Sequence, residues 1–180
     1  MKGIIFNLLE QVVVEDFGAD VWEKILDDAG LDGVYTSVGT YDHDELHKLV
    51  GATSSLLGRP TDGVVRWFGT RSMPLLAKRY KEFFAPHDSA LSFVLTLNDV
   101  IHPEVRKLFP GAYAPDFDFE RVDADTVAIG YASLRGLCMF AEGLVEGAAS
   151  YYGQRVSISQ LHCTRRGDEK CVLLCRFSDG

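Results

Sequence analysis

The sequence predicts an α+β fold, with helices in the first part of the chain and an antiparallel sheet of about four strands toward the C-terminus. In the first part, apolar residues recur every three or four positions, which is typical of amphipathic helices. After residue 115 they alternate with polar residues, which is typical of strands, and one helical segment interrupts this pattern. A length of 180 residues and 47 % apolar content suit a single domain over 1–180.

The first helices begin and end at ordinary helix-boundary residues. Residues 3–15 carry a wide apolar face, and a shorter helix follows at 21–29. Asp42 is a good N-cap for the next helix, and Pro60 opens a longer one. Within this longer helix Pro74 predicts a kink or a restart, because proline has no amide donor for the preceding turn.

The last helix of the first part carries His102. The segment 86–89 caps it, and we expect one amphipathic helix to reach residue 108, with a kink at Pro103. Its apolar stripe consists of Leu97, Ile101, Val105 and Leu108. His102 lies roughly 100° around the helix from Ile101. Such a histidine is either a boundary residue with an ordinary hydrogen-bond partner or an axial ligand of haem iron, and His102 alone does not decide.

The second part alternates between strands and one helix. Phe117 and Phe119 alternate with acids, and residues 126–134 form a second predicted strand. Residues 136–152 have helical spacing. Strands at 155–163 and 171–177 follow, joined by a turn.

Composition excludes two classes of partner. A net charge of −8 argues against nucleic acid, which is bound through lysine and arginine. No apolar run approaches the length of a membrane span, and the N-terminus lacks the features of a signal peptide. We therefore expect a cytoplasmic protein whose thiols are reduced.

Three polar residues follow each other at strand spacing: Tyr131, Ser133 and Arg135. If the strand continues through all three, their side chains share one face. A phenol, a hydroxyl and a guanidinium suit carboxylates, such as the two propionates of haem. The alternative is an ordinary polar strand face in solvent.

Taken together, these motifs resemble the haem–nitric oxide/oxygen-binding (H-NOX) family, which includes the haem domain of the soluble guanylate cyclase β subunit. The opening residues 1–7, MKGIIFN, resemble the start of the family, and residues 97–102 resemble its proximal-ligand segment. Pro115 matches its haem-contacting proline, and the Tyr-x-Ser-x-Arg motif at 131–135 matches its propionate motif.

The resemblance implies haem b held between the helical part and the sheet. His102 would be the axial iron ligand, while Ile5 and Pro115 would press on the porphyrin and distort it. Three residues would hold the propionates: Tyr131, Ser133 and Arg135. A single axial histidine leaves the sixth iron position open for a diatomic gas.

The helix 136–152 would line the open side of the haem. Some family members carry a distal tyrosine here that donates a hydrogen bond to oxygen, but this sequence has Phe140, with Leu144 one turn further on. Tyr151 and Tyr152 lie about three turns away. With Ile5 the pocket is apolar, so we expect NO and CO to bind and O₂ to be excluded.

The four cysteines lie in the last part of the chain, at positions 138, 163, 171 and 175. Cys138, Cys163 and Cys171 could meet as three zinc ligands, with His162 or Cys175 as the fourth. Some bacterial family members have a Cys₃His zinc site, whose histidine position is occupied here by Gln160. Buried structural thiols and a thiol redox switch are the alternatives.

The function that follows is a ferrous haem sensor of nitric oxide, and not an enzyme. Because the chain ends at Gly180 without an output domain, we expect it to regulate a separate signalling protein. The resemblance points to a histidine kinase or a cyclic-di-GMP enzyme. The alternative function is a zinc/thiol redox sensor in which haem is secondary. A peroxidase is disfavoured, since it needs polar groups on the distal side.

Overall fold

The computed structural model describes residues 1–133 and 135–180, and most of the first part is helical. The described helices are α1 (Gly3–Phe17), α2 (Ala19–Ala29), α3 (His43–Leu57), α4 (Thr61–Arg79), α5 (Lys81–Phe84), α6 (Ala90–Val94), a π-helix (Leu97–Ile101), α7 (His102–Leu108) and α8 (Cys138–Tyr151). None of them is long and apolar enough to cross a membrane. As the sequence predicts, Asp42 caps α3, because its carboxylate accepts a hydrogen bond from the Asp44 amide.

The C-terminal part contains one antiparallel sheet. Its strands are β1 (Asp116–Arg121), β2 (Thr126–Ala132), β3 (Gln154–His162) and β4 (Cys171–Asp179), in the spatial order β1-β2-β4-β3. A 3₁₀ turn at Thr164–Arg166 lies between β3 and β4. The helix α8 packs against this sheet. The predicted fold class is therefore confirmed.

Two apolar cores lie on either side of a central cavity. The first is built from α1 to α4 and contains Phe6, Leu9, Val12, Ile25, Leu49 and Phe68. The second lies between α6, α8 and the sheet and contains Phe93, Val127, Ile129, Ala148, Leu173 and Phe177. All of these side chains are almost fully buried, so the cavity has rigid walls.

The helices α4 and α8 cross in direct backbone contact. A β-carbon added at Gly143 would lie 2.0 Å from the carbonyl oxygen of Arg66, and one at Gly69 would lie 2.4 Å from that of Phe140. Only glycine fits at such distances. Beside the crossing, the Arg66 guanidinium pairs with both Glu142 and Glu146 of α8.

The helix α4 runs through Pro74 without interruption, so the predicted restart is wrong. Proline inside a helix costs about 3 kcal/mol. Next to it, the Met73 side chain packs directly over Gly147 of α8, where an added β-carbon would be only 2.5 Å away.

The predicted single helix around His102 is also wrong, because it is divided into α6, the π-helix and α7. Ser89 caps only α6, and its hydroxyl accepts a hydrogen bond from the Ser92 amide. The His102 amide donates to the carbonyl of Leu97, five residues earlier, and Pro103 has no amide to continue an ordinary helical pattern. As a result, Leu108 leaves the predicted buried stripe and is 47 % exposed.

Candidate cofactor site and thiol cluster

An apolar cavity of about 310 Å³ lies between the helical part and the sheet. The elements around it are α1, α4, the π-helix with α7, β2 and α8. Eight residues that the sequence analysis singles out line it: Ile5, His102, Pro115, Tyr131, Ser133, Arg135, Phe140 and Leu144. The structure therefore brings together side chains that are far apart in the sequence.

His102 begins α7 and presents its imidazole to this cavity. Its Nδ1 atom is buried and has no hydrogen-bond partner within residues 1–133 and 135–180. Burial and, to a smaller extent, the nearby positive charge of Arg106 lower the pKa of His102 to about 4. The ring is therefore neutral near pH 7, which is the form that binds iron.

Phe117, which contacts this imidazole, and Asn98, which contacts Phe117, are two residues that the sequence analysis missed. The Phe117 ring stacks on His102 at 5.5 Å between centroids, with 29° between the planes, and lies 5.7 Å from the Tyr131 ring. The Nδ2 atom of Asn98 donates a hydrogen bond to the Phe117 carbonyl at 2.6 Å. Asn98 precedes His102 by four residues, so helical spacing could have drawn attention to it.

The polar rim of the cavity lies at the end of β2. The strand ends at Ala132, so the expectation that strand alternation aligns all three polar residues is wrong. Leu134, at the end of the predicted strand, lies outside the described residues. Arg135 makes two hydrogen bonds beyond the strand: its amide donates to the Ser133 hydroxyl at 3.2 Å, and its guanidinium donates to the Tyr113 carbonyl at 3.2 Å.

The opposite wall of the cavity is apolar. Phe140 of α8 packs on Phe68 of α4 at 4.8 Å between centroids, and Leu144 lines the same wall. The Tyr152 hydroxyl donates to the Phe84 carbonyl instead of facing the cavity. The side chains of Phe68, Phe140 and Leu144 carry no hydrogen-bond donor.

These residues fit a haem group. A neutral imidazole with an unpartnered Nδ1 faces an apolar space, and a guanidinium with two hydroxyl groups stands at the rim. Haem needs an axial nitrogen, apolar walls for the ring and cationic or hydroxyl donors for its propionates.

The family is decided by comparison with known proteins. The family model described as Haem-NO-binding matches residues 2–160. The chain belongs to this family. An H-NOX protein from S. oneidensis, solved in its Fe(II)NO ligation state, is 36 % identical, with 99 % of this chain and 100 % of that chain covered and a TM-score of 0.92.

Two further H-NOX structures are also similar to the chain. The Shewanella oneidensis domain in its Fe(II)CO ligation state is 35 % identical, with both chains covered at 100 % and a TM-score of 0.90. The Fe(II) unliganded H-NOX protein from K. algicida is 25 % identical, covers 100 % of this chain and 98 % of its own, and has a TM-score of 0.88.

This H-NOX chain also contains a buried cluster of thiols. Cys138 at the start of α8 and the hairpin residues Cys163 and Cys171 have sulfur atoms within 4.8 Å of one another. The Cys163 sulfur lies 3.9 Å from each of the other two. Burial opposes ionisation of Cys163, but hydrogen bonds with Arg165, Cys138 and Cys171 together outweigh it and lower the pKa of this thiol. Burial raises the pKa of Cys138 to about 11.

The structure does not bring either predicted fourth zinc ligand to this cluster. His162 has a side chain that is 60 % exposed and lies against Asp168, because a bulge between Gln160 and His162 turns it outward. Cys175 is buried in the sheet core, where its thiol contacts the Leu173 carbonyl. Gln160 pairs with Leu173 and so lies on the thiol side of the sheet, where its Nε2 has no partner among the described residues.

Proposed function

We propose that this H-NOX chain is a ferrous-haem sensor of nitric oxide, with His102 as the axial ligand. The observation that carries the proposal is the neutral, half-buried imidazole facing an apolar cavity with Arg135 at its rim. When bound, haem supplies an iron with one free axial position for a diatomic gas. The relatives solved with NO and CO are consistent with these two gases as ligands.

The polar rim gives this chain a means of holding the haem in one orientation. Tyr131 and Ser133 offer hydroxyl donors, and Arg135 offers a guanidinium that can bind a carboxylate through two nitrogens. We assign the propionates to these three residues. Ile5 and Pro115 line the cavity from α1 and from the loop before β1, where they would press on the ring.

The distal wall favours NO and CO over O₂. Oxygen gains more than the other two gases from a hydrogen-bond donor at its binding position. Phe140 and Leu144 donate nothing, and Ile5 adds another apolar side chain. We therefore propose that the chain excludes O₂.

The test is the absorption spectrum of the ferrous protein under argon, air, CO and NO. We expect spectral changes with CO and NO, and the argon spectrum should persist in freshly exchanged air before slow oxidation. A stable, distinct spectrum in air would overturn the exclusion of O₂. Protein purified with added haem that shows no haem absorption would overturn the whole proposal.

The output of the sensor is proposed from the family alone. We infer that the chain acts on a separate signalling protein, a histidine kinase or a cyclic-di-GMP enzyme, and has no catalytic activity of its own. A cytoplasmic location and the organisation of 1–180 as one domain stay predictions from the sequence.

A second proposal concerns the thiol cluster, which we assign to a structural zinc ion. Three sulfur atoms already within 4.8 Å of one another support it, since structural zinc commonly takes three or four thiolates. Gln160 lies on the same side of the sheet as the thiols, but its amide oxygen accepts a hydrogen bond from Arg166 at 3.3 Å, so the proposal rests on the three thiolates.

Metal analysis of protein purified without chelator tests the zinc proposal. We expect about one zinc per chain in the parent and in His162→Ala, and a loss of zinc in Cys163→Ser. Parent protein that contains iron alone, with four titratable thiols, would contradict the zinc site and favour the alternative of a thiol redox sensor.

A further inference from the structure

The side chain of Asn98 makes a hydrogen bond to a residue outside its own helix. It lies in the π-helix, and its Nδ2 donates to the Phe117 carbonyl of β1 at 2.6 Å, across 19 positions of the sequence. The neighbouring Asp99 is exposed and makes no such contact within the described part of the chain. This hydrogen bond therefore joins the segment that carries His102 to the edge of the sheet.

Phe117 lies at the centre of the contacts between the axial ligand and the propionate rim. Its ring stacks on the His102 imidazole and also packs against Tyr131, with which it is paired in the β1–β2 ladder. Its backbone carbonyl is the atom that Asn98 holds. One aromatic residue thus touches both the proposed iron ligand and one of the proposed propionate-binding residues.

The imidazole itself has little else to fix it. Histidines that bind metals nearly always donate their second ring nitrogen to a carboxylate, carbonyl or water, which fixes the ring and makes it a stronger ligand. The Nδ1 atom of His102 has no such acceptor within residues 1–133 and 135–180. Its orientation therefore depends on the backbone at the π-helix junction and on stacking with Phe117.

We propose that Asn98 is a positioning residue for the iron ligand. By holding the π-helix to β1, it fixes the distance and angle between the His102 ring and Phe117. A π-helix needs such a hydrogen bond to another element, because backbone hydrogen bonds between residues i and i+5 are rare and need support from outside the helix. The proposal rests on the proposed function, since it takes His102 to be the axial ligand.

The proposal has a spectroscopic consequence. Without the hydrogen bond from Asn98 to Phe117, the segment 97–102 is free to shift relative to β1. The His102 ring then takes a wider range of tilt angles. The iron–histidine stretching band of the ferrous protein, measured by resonance Raman spectroscopy, should then broaden and move to lower frequency. A merely structural role would lower the unfolding temperature and leave this band in place.

The experiment compares Asn98→Ala, Asn98→Asp and the matched control Asp99→Ala. Asn98→Asp has the same size but offers a carboxylate, which cannot donate to the Phe117 carbonyl. We expect both Asn98 variants to shift and broaden the band with haem retained, and Asp99→Ala to match the parent. If Asn98→Ala does not retain haem, Asn98→Asp carries the comparison. A band unchanged in position and width in haem-loaded Asn98 variants would overturn the proposal.

The same comparison in a His102→Gly protein separates the failure of this proposal from the failure of the proposed function. In His102→Gly with added imidazole, the iron ligand is no longer attached to the helix, so Asn98→Ala should shift the iron–imidazole band much less. An equal shift in both backgrounds would overturn the positioning role. If His102→Gly keeps the parent band without imidazole, His102 is not the ligand, and the proposed function fails first.

Discussion

At the scale of single residues, the strongest prediction concerns His102 and haem binding. Replacing it with alanine removes the neutral imidazole from the cavity and leaves the apolar walls and the polar rim in place. Losing a residue that hydrogen-bonds a metal ligand typically lowers metal affinity by about 10–100-fold. Losing the ligand itself should lower the affinity for haem by more than this. Haem titration of His102→Ala, with and without imidazole, measures this. The exposed His47→Ala is the matched control and should keep full occupancy. Full occupancy with an unchanged ferrous spectrum in His102→Ala would remove the assignment.

Phe140 is the residue on which gas selectivity depends. Phe140→Tyr adds a hydroxyl to the apolar wall next to Phe68, and a neutral hydrogen bond is worth about 1 kcal/mol or more. The affinity for O₂ should therefore rise by about fivefold or more, whereas the affinity for NO should change far less. Stopped-flow O₂ dissociation measures the difference, with Leu144→Met as an apolar control on the same wall. If the parent already binds O₂ stably, the selectivity assigned to Phe140 is wrong whatever the variant does.

At the scale of elements, the loop before β1 and the helix that carries His102 act on the same cavity. Pro115 lines the cavity from that loop, and its ring is stiff enough to press on a flat ligand. If a bound gas released His102 from the iron, α7 would be freed and this pressure would change. We therefore propose that the two elements form the two-state part of the molecule.

Pro115→Ala should therefore give a flatter haem and part of the NO-bound output in the absence of NO. Out-of-plane haem bands in resonance Raman spectra measure the first effect, and regulation of a co-expressed partner measures the second. The nearby Pro110→Ala is the control, because Pro110 is exposed and does not line the cavity. Parent-like haem shape and parent-like regulation in Pro115→Ala would count against the mechanism.

Element boundaries show which parts of the fold the sequence predicts well. The N-cap at Asp42 and the alternation around Phe117 and Phe119 are local signals, and both elements form where they are expected. The helix around His102 is divided because of Pro103 and because Asn98 donates a hydrogen bond to β1, which is a contact between distant elements. Local periodicity carries no information about such a contact.

At the scale of the whole molecule, Arg66 joins the helical part to the part that contains the sheet. Its guanidinium pairs with Glu142, whose side chain is 6 % exposed, and with Glu146. Arg66→Ala leaves a buried carboxylate unpaired. Because Arg66 is itself 40 % exposed, we expect a loss of about 2 kcal/mol, less than for a fully buried pair. Urea unfolding measures it, with the exposed Arg59→Ala as control. A loss no larger than that of the control would contradict the role of this pair.

The same variant should respond to pH. Burial raises the pKa of Glu142 above its ordinary 4.5, and removing the charge of Arg66 should raise it further. A carboxyl with a raised pKa in the folded state binds its proton more readily when folded, so its ionisation lowers the stability as the pH rises. The difference between Arg66→Ala and the parent should therefore be smaller at pH 5 than at pH 7.5. An equal or larger difference at pH 5 would contradict this assignment.

The candidate site was predictable where motifs are short and their spacing is regular. His102, Pro115, Tyr131, Ser133 and Arg135 were found in this way, and all line one cavity. Phe117 as the support of His102 was missed, because stacking between α7 and β1 depends on tertiary packing. The same limit explains His162, since the bulge that turns it away from the thiols leaves no mark in the alternation pattern.

The glycine-lined crossing of α4 and α8 also constrains the order in which the molecule can be made. Arg66 and Glu146, which face each other there, are 80 positions apart in the chain. At a synthesis rate of about 5–20 residues per second, α8 is synthesised at least about 4 seconds after α4. During this interval Phe68 and the flat surface at Gly69 have nothing of α8 to pack against. The N-terminal helices therefore finish folding only after α8 has been synthesised, and a fragment that ends before residue 138 should be prone to aggregate.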